Sequence, residues 1–141
     1  MANQLLLDAR KHPAREMAIR SIDCVEQGDR EGWLSMWAAD GVIQDPVGVS
    51  PLDPHGQGHR GTESITAFYD NVIAVSDVRF TIRHSYACGN ECANVGTITT
   101  RTGEGLVSRT ELVMIYRLND QGELASLRAF WEFEDTVASS Y

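Results

Sequence analysis

Asp45 is the residue of this chain best placed to move a proton. It stands in the stretch Val42-Ile43-Gln44-Asp45-Pro46-Val47-Gly48. The β-branched pair Val42-Ile43 predicts a short strand that ends at Asp45. Pro46 then fixes its own φ and removes a backbone donor, and Gly48 allows the chain to turn. A carboxylate held at such a rigid corner among apolar neighbours is poorly hydrated. Desolvation disfavours its charged form, raises its pKa and makes it a stronger general base than a free Asp. Asp-Pro is also a common turn starter, so these residues by themselves leave a base and a plain turn both open.

Other reactive side chains form weaker patterns. Asp53, His55 and His59 lie in the proline- and glycine-rich stretch from Val49 to Arg60, but no sequence-distant ligand pairs with them, so no metal is expected. That stretch is a long loop, of a length that suits a lid or a rim. Cys24, Cys88 and Cys92 are odd in number, and Cys88 and Cys92 flank the hairpin signal Gly89-Asn90-Glu91, which reads as structural free thiols. Ser21 falls in an apolar helical stripe, where a hydroxyl ordinarily bonds the carbonyl a turn back.

Helical spacing predicts the elements that must carry these groups. Pro13 suits a first helical turn, Ala14, Met17, Ala18, Ser21, Ile22 and Val25 form one face, and Gly28 is a stop. Asp29 caps a second, short helix whose buried face is Trp33, Leu34, Trp37 and Ala38. Thr62 caps a third, with Ile65, Phe68, Tyr69, Val72 and Ile73 on one side. After Ser76 the period changes to two. Strands are predicted from Val78 to Ile82 onward, Ala93 to Thr102, Leu106 to Leu118 and Glu123 to Phe133, with a loose tail after Asp135. Helices first and strands second is the signature of an α+β domain: three N-terminal helices packed on a curved antiparallel sheet, leaving a conical cavity. Such concave, mostly apolar spaces suit small ligands.

The 141 residues read as a single domain, 1–141, of ordinary globular composition. A formal net charge of −8 argues against a nucleic-acid partner. No apolar run approaches a membrane span and no export signal is evident, so a cytoplasmic protein is expected.

Taken together, these residues resemble the Δ5-3-ketosteroid isomerases of the nuclear-transport-factor-2-like superfold. The resemblance rests on Gly28-Asp29, Gly32, Ala38-Ala39-Asp40, Asp45-Pro46-Val47-Gly48, Gly61, Ala67-Phe68-Tyr69, and a last hairpin of Tyr116-Arg117-Leu118, Gly122 and Leu127-Arg128-Ala129-Phe130-Trp131. It implies a cone-shaped α+β barrel, a homodimer formed through the Arg109, Glu111, Val113 and Ile115 face, an apolar ligand of the steroid kind, and no cofactor. It also implies that Asp45 shuttles a proton between two carbons of a 3-ketosteroid, moving a double bond. The family's oxyanion-hole Tyr matches Ser21 here. Its protonated Asp matches Met114 or, one residue off, Val113, and neither of these can donate a hydrogen bond.

By position, Tyr69 and Trp37 are candidate replacement donors, while Ser21, Val47, Phe68, Met114 and Trp131 are the expected ligand-binding set. Because two donors are missing, two alternatives stand beside a steroid Δ-isomerase. One is a non-catalytic binder of steroids or similar apolar molecules. The other is a polyketide-cyclase-like enzyme.

Overall fold

In the computed structural model, which describes residues 3–140, a short helix α1 (Gln4–Asp8) precedes the expected ones. Helix α2 (Pro13–Gln27) begins with Pro13 in its first turn, capped by His12 Nδ1, which accepts from the Ala14 amide at 3.1 Å. It ends at Gly28, whose left-handed φ of 69° lets the chain close the helix without a Cβ penalty. Helix α3 (Arg30–Leu34) is capped by Asp29, which accepts from the Gly32 amide at 2.9 Å.

Here the sequence reading needs a correction. Trp37 and Ala38 do not extend that helical face, because strand β1 (Trp37–Gln44) has already begun. Trp37 pairs with Leu124, and the Leu124 amide donates to the Met36 carbonyl at 2.9 Å. A long-range ladder satisfies these backbone groups, so the tertiary partner overrides the local helical spacing.

The long loop returns through β2 (His59–Arg60), which pairs with β1. Helix α4 (Gly61–Phe68) starts at Gly61 with no side-chain cap, so Thr62 lies inside it rather than before it. A single π-helical turn, Tyr69–Ile73, follows and holds Tyr69. Strands β3 (Asp77–Cys88), β4 (Glu91–Arg101), β5 (Leu106–Leu118) and β6 (Leu124–Phe130) form an antiparallel meander.

The sheet order is β2-β1-β6-β5-β4-β3. Because β1 lies parallel to β6, the sheet is mixed rather than wholly antiparallel. Nor is it a barrel, since β2 and β3 stand at opposite edges without meeting. Side chains cover part of the β3 edge instead: Glu26 Oε2 accepts from the Phe80 amide and Asn3 Oδ1 from the Ile82 amide, both at 2.9 Å. Two further differences concern the C-terminal end. β6 stops at Phe130, not Phe133, and residues 133–135 form a 3₁₀ turn. The expected loose tail is a strand, β7 (Val137–Ser140), paired with the first half of β5.

Helices α2 and α4 close the concave side of this sheet. The interior is continuous, joining Ala14, Ala18 and Ile22 of α2 to Phe80, Leu112, Met114 and Tyr116 of the sheet. Register shifts bend the strands: one in β3 between Ile82 and His84, another in β1 between Trp37 and Val42. Among the described residues, no helix is long and apolar enough to cross a membrane.

Candidate active site

The bend of the sheet leaves a cavity of about 210 Å³ between α2, α4 and the concave face. Its wall is overwhelmingly apolar: Val25, Phe68, Phe80, Leu112, Met114 and Leu127 are typical. Leu52 reaches it from the long loop, which folds onto itself through the Ser50–Asp53 bridge and the Gly58 amide donating to Asp53 Oδ2 at 2.8 Å. The loop thus contributes a piece of wall.

Asp45 opens into this cavity. It is the first residue beyond β1, the peptide bond to Pro46 is cis, and the Val47 amide donates to the Ala129 carbonyl at 2.9 Å, which pins the corner to β6. Trp131, just past the end of β6, folds back so that its Nε1–H donates to Asp45 Oδ1 at 2.6 Å. The break after Phe130, one residue ahead of Trp131, thus lets the indole reach the Asp45 corner. The carboxylate keeps some access through the cavity yet lies deep in the protein. Burial pushes its pKa up from the ordinary carboxylate value, while the Trp131 hydrogen bond and nearby His59 pull it back. A carboxylate raised in this way binds a proton, once ionised, more tightly than a free Asp does.

Of the candidate residues, Asp45, Ser21, Phe68, Met114 and Trp131 line the same cavity. Three other candidates lie elsewhere. Val47 faces a separate groove beside Val113 and Phe130. Tyr69 and Trp37 are packed against Trp33, with ring centroids 5.3 and 5.5 Å away, and neither reaches the cavity lining. They buttress Trp33, which does line it. Trp33 Nε1–H donates to Ser21 Oγ at 3.1 Å, so Ser21 takes an indole proton rather than bonding back along its own helix.

The residue missed by sequence reasoning is Tyr116. Its phenol is 1% exposed and lines the cavity with Asp45. The signal was available: strand alternation puts Leu112, Met114 and Tyr116 on one face, so placing Met114 inside places Tyr116 inside as well. His59, also outside the expected site set, packs at a tilt against Phe68, ring centroids 4.9 Å apart. Among the described residues, no cluster of His, Cys, Asp or Glu is arranged to hold a metal ion.

A bent sheet capped by helices thus encloses an apolar cavity, with one desolvated carboxylate clamped at its wall. The sequence pattern of the SnoaL-like domain matches residues 18–127, and the chain belongs to the SnoaL-like family. A curated relative is the steroid Delta-isomerase of Nocardioides simplex, 26% identical over 120 residues that cover 85% of this chain and 90% of that one. Two solved structures share the fold over nearly their whole length. The Delta 5-3-ketosteroid isomerase from Mycobacterium sp. has a TM-score of 0.87 and 32% identity, over 92% of this chain and 100% of its own. Rv0760c from Mycobacterium tuberculosis, solved in complex with estradiol-17β-hemisuccinate, has a TM-score of 0.86 and 32% identity, over 90% of this chain and 99% of its own. The resemblance drawn from sequence therefore stands at the level of family and fold.

Proposed function

We propose that this protein is a cofactor-independent steroid Δ-isomerase. The observation that carries the reading is Asp45, a carboxylate with a raised pKa, set by a 2.6 Å indole hydrogen bond into the wall of an apolar cavity. A flat polycyclic ketone fits the chemistry of that wall. Asp45 removes a proton from the carbon beside the ketone, so that a C–H bond breaks and an O–H bond forms on the carboxylate. The electron pair moves into a dienolate, and the same proton returns two carbons along, leaving a conjugated enone. Phe68, Met114 and Trp131 pack the ring system. Tyr69 and Trp37 act from behind Trp33 and do not touch the ligand.

The test is an ultraviolet assay of the purified protein with 5-androstene-3,17-dione, following the conjugated enone, with Asp45→Asn as the control. Turnover lost in the control supports the reading. The competing reading, a steroid binder without chemistry, draws on Ser21 and Met114 standing where the family's donors would be. It is favoured if steroid quenches tryptophan fluorescence and no enone forms.

Trp131 sets the pH dependence. Its hydrogen bond lowers the Asp45 pKa, and catalysis needs the ionised carboxylate. Replacing Trp131 with Phe removes the donor, so the acid limb of the kcat/KM profile should move to higher pH. A limb that stays in place or moves to lower pH would show that the indole does not tune the base.

The outer face of β5 fits the homodimer that the resemblance implies. Val113 and Ile115 are half-buried there beside Arg109 and Glu111, and Arg83 Nη2–H donates to Glu111 Oε1. Sedimentation at working concentration should return twice the mass of one chain. A monomer would remove the dimer from the proposal.

A further inference from the structure

The proposed isomerase lacks the Tyr and the Asp with which its relatives would hold the developing oxyanion, and Ser21 and Met114 stand in their places. The structure puts a different hydroxyl in the space between those two residues. Tyr116 enters from the opposite wall, on β5, two residues beyond Met114. Its O–H donates to Met114 Sδ at 3.6 Å, and Ser21 faces it from α2 closely enough to hydrogen-bond. The thioether is a weak acceptor, so the phenol gives up little by turning to a ketone oxygen.

Behind the phenol stands a directed chain. The Trp33 indole can only donate, and its proton occupies Ser21 Oγ at 3.1 Å. The Ser21 proton is then free to point at the Tyr116 oxygen. Each donor polarises the next, which strengthens the last one in a low-dielectric site. Tyr69 and Trp37 fix the Trp33 ring from the far side.

We propose that Tyr116 is the oxyanion donor of this enzyme, a catalytic residue that binds the ketone oxygen as the dienolate forms, with Ser21 and Trp33 as positioning residues behind it. This rests on the isomerase reading and supplies the group that reading lacks. The proton balance is unchanged: Asp45 carries the only proton transferred, and Tyr116 keeps its own while sharing it with the oxygen. Burial pushes the phenol far above its ordinary pKa, Cys92 and Asp45 push the same way, and Ser21 pulls back. Tyr116 therefore keeps its proton, and remains a donor, to higher pH than an ordinary tyrosine.

The experiment compares two ligands that differ by one oxygen, estradiol and 3-deoxyestradiol, on the parent, Tyr116→Phe and Ser21→Ala proteins, read by tryptophan fluorescence. Tyr116→Phe should weaken estradiol about tenfold, the value of one buried hydrogen bond, and leave 3-deoxyestradiol unchanged. Ser21→Ala should show a smaller loss with the same selectivity. In turnover of 5-androstene-3,17-dione, Tyr116→Phe should lower kcat by ~10²–10³ with little change in KM. If the parent shows no turnover, the isomerase reading fails, but the ligand contrast still decides whether Tyr116 holds the oxygen. Equal losses on both ligands, or no loss on either, overturn the proposal. Should Tyr116→Phe not fold, an estradiol to 3-deoxyestradiol affinity ratio unchanged in Ser21→Ala overturns it.

Discussion

Replacing Asp45 with Asn should reduce isomerisation by ~10²–10⁴ while steroid binding survives, because the amide keeps the shape of the side chain and loses the base. The Trp131 hydrogen bond has an acceptor in either case, since the Asn carbonyl oxygen can stand where Asp45 Oδ1 now accepts at 2.6 Å. The same variant should also be more stable than its parent at pH above the folded-state pKa of Asp45. Burial raises the folded-state pKa of Asp45 above the unfolded value. A group shifted in that direction favours the folded state fully at pH below its unfolded pKa, and that contribution is lost as pH rises through the folded pKa. Above that folded-state pKa the parent therefore holds a desolvated charge that Asn does not.

The Tm advantage of Asp45→Asn should accordingly be greatest at pH above the raised folded-state pKa. It should shrink as pH falls through the raised folded-state value toward the ordinary carboxylate value of 3.8. Thermal unfolding of the two proteins across pH measures it. A gain in activity, or an advantage that grows on acidification, would remove Asp45 from the role of buried base. A site that costs stability in return for reactivity is the expected signature of function.

Gly96→Ala should lower stability by about 3 kcal/mol, or roughly 10 °C in Tm, the largest effect expected from adding a single carbon to this fold. Gly96 lies on β4 opposite Ile82, next to the register shift at which β3 slips by one residue before His84. A Cβ there would meet the Thr81 carbonyl oxygen well inside contact distance and lie 2.9 Å from Ile82 Cα. Both are backbone atoms of a paired strand and cannot swing aside. Thus β3 and β4 can crowd together at the bend only because residue 96 has no side chain. Phe80 and Ile98, paired with each other two residues from that bend, line the cavity, so a splayed bend should weaken ligand binding as well. An alanine variant that melts with the parent would show that the bend has room to spare.

Much of this molecule follows from local rules. Pro13, Gly28 and Asp29 bound their helices because a missing N–H, a left-handed φ and a capping carboxylate act within a few residues of themselves. Alternation over Leu106 to Leu118 fixed which strand face is buried, and Asp45 before Pro46 marked the strand corner and its candidate base. The α+β class and the family were legible in this way, and five of the eight candidate residues, Asp45, Ser21, Phe68, Met114 and Trp131, lie at the same cavity.

What needed the tertiary structure was any feature set by a partner distant in the chain. Trp37 left its helical stripe for a strand because Leu124 was there to pair with it. The sheet became mixed because β1 lies along β6, not because of anything in residues 37–44. Tyr69 and Trp37 have the right chemistry for donors, but packing on Trp33 turned both away from the cavity. Tyr116 has the same chemistry and faces inward, between Ser21 and Met114, because β5 crosses beneath α2. Sequence determined which groups could carry or stabilise charge. Only the close approach of α2, β5 and the corner after β1 decided which of them share one desolvated space, since hydrogen bonds and desolvation act over a few ångströms and the residues concerned lie up to 95 positions apart in the chain, from Ser21 to Tyr116.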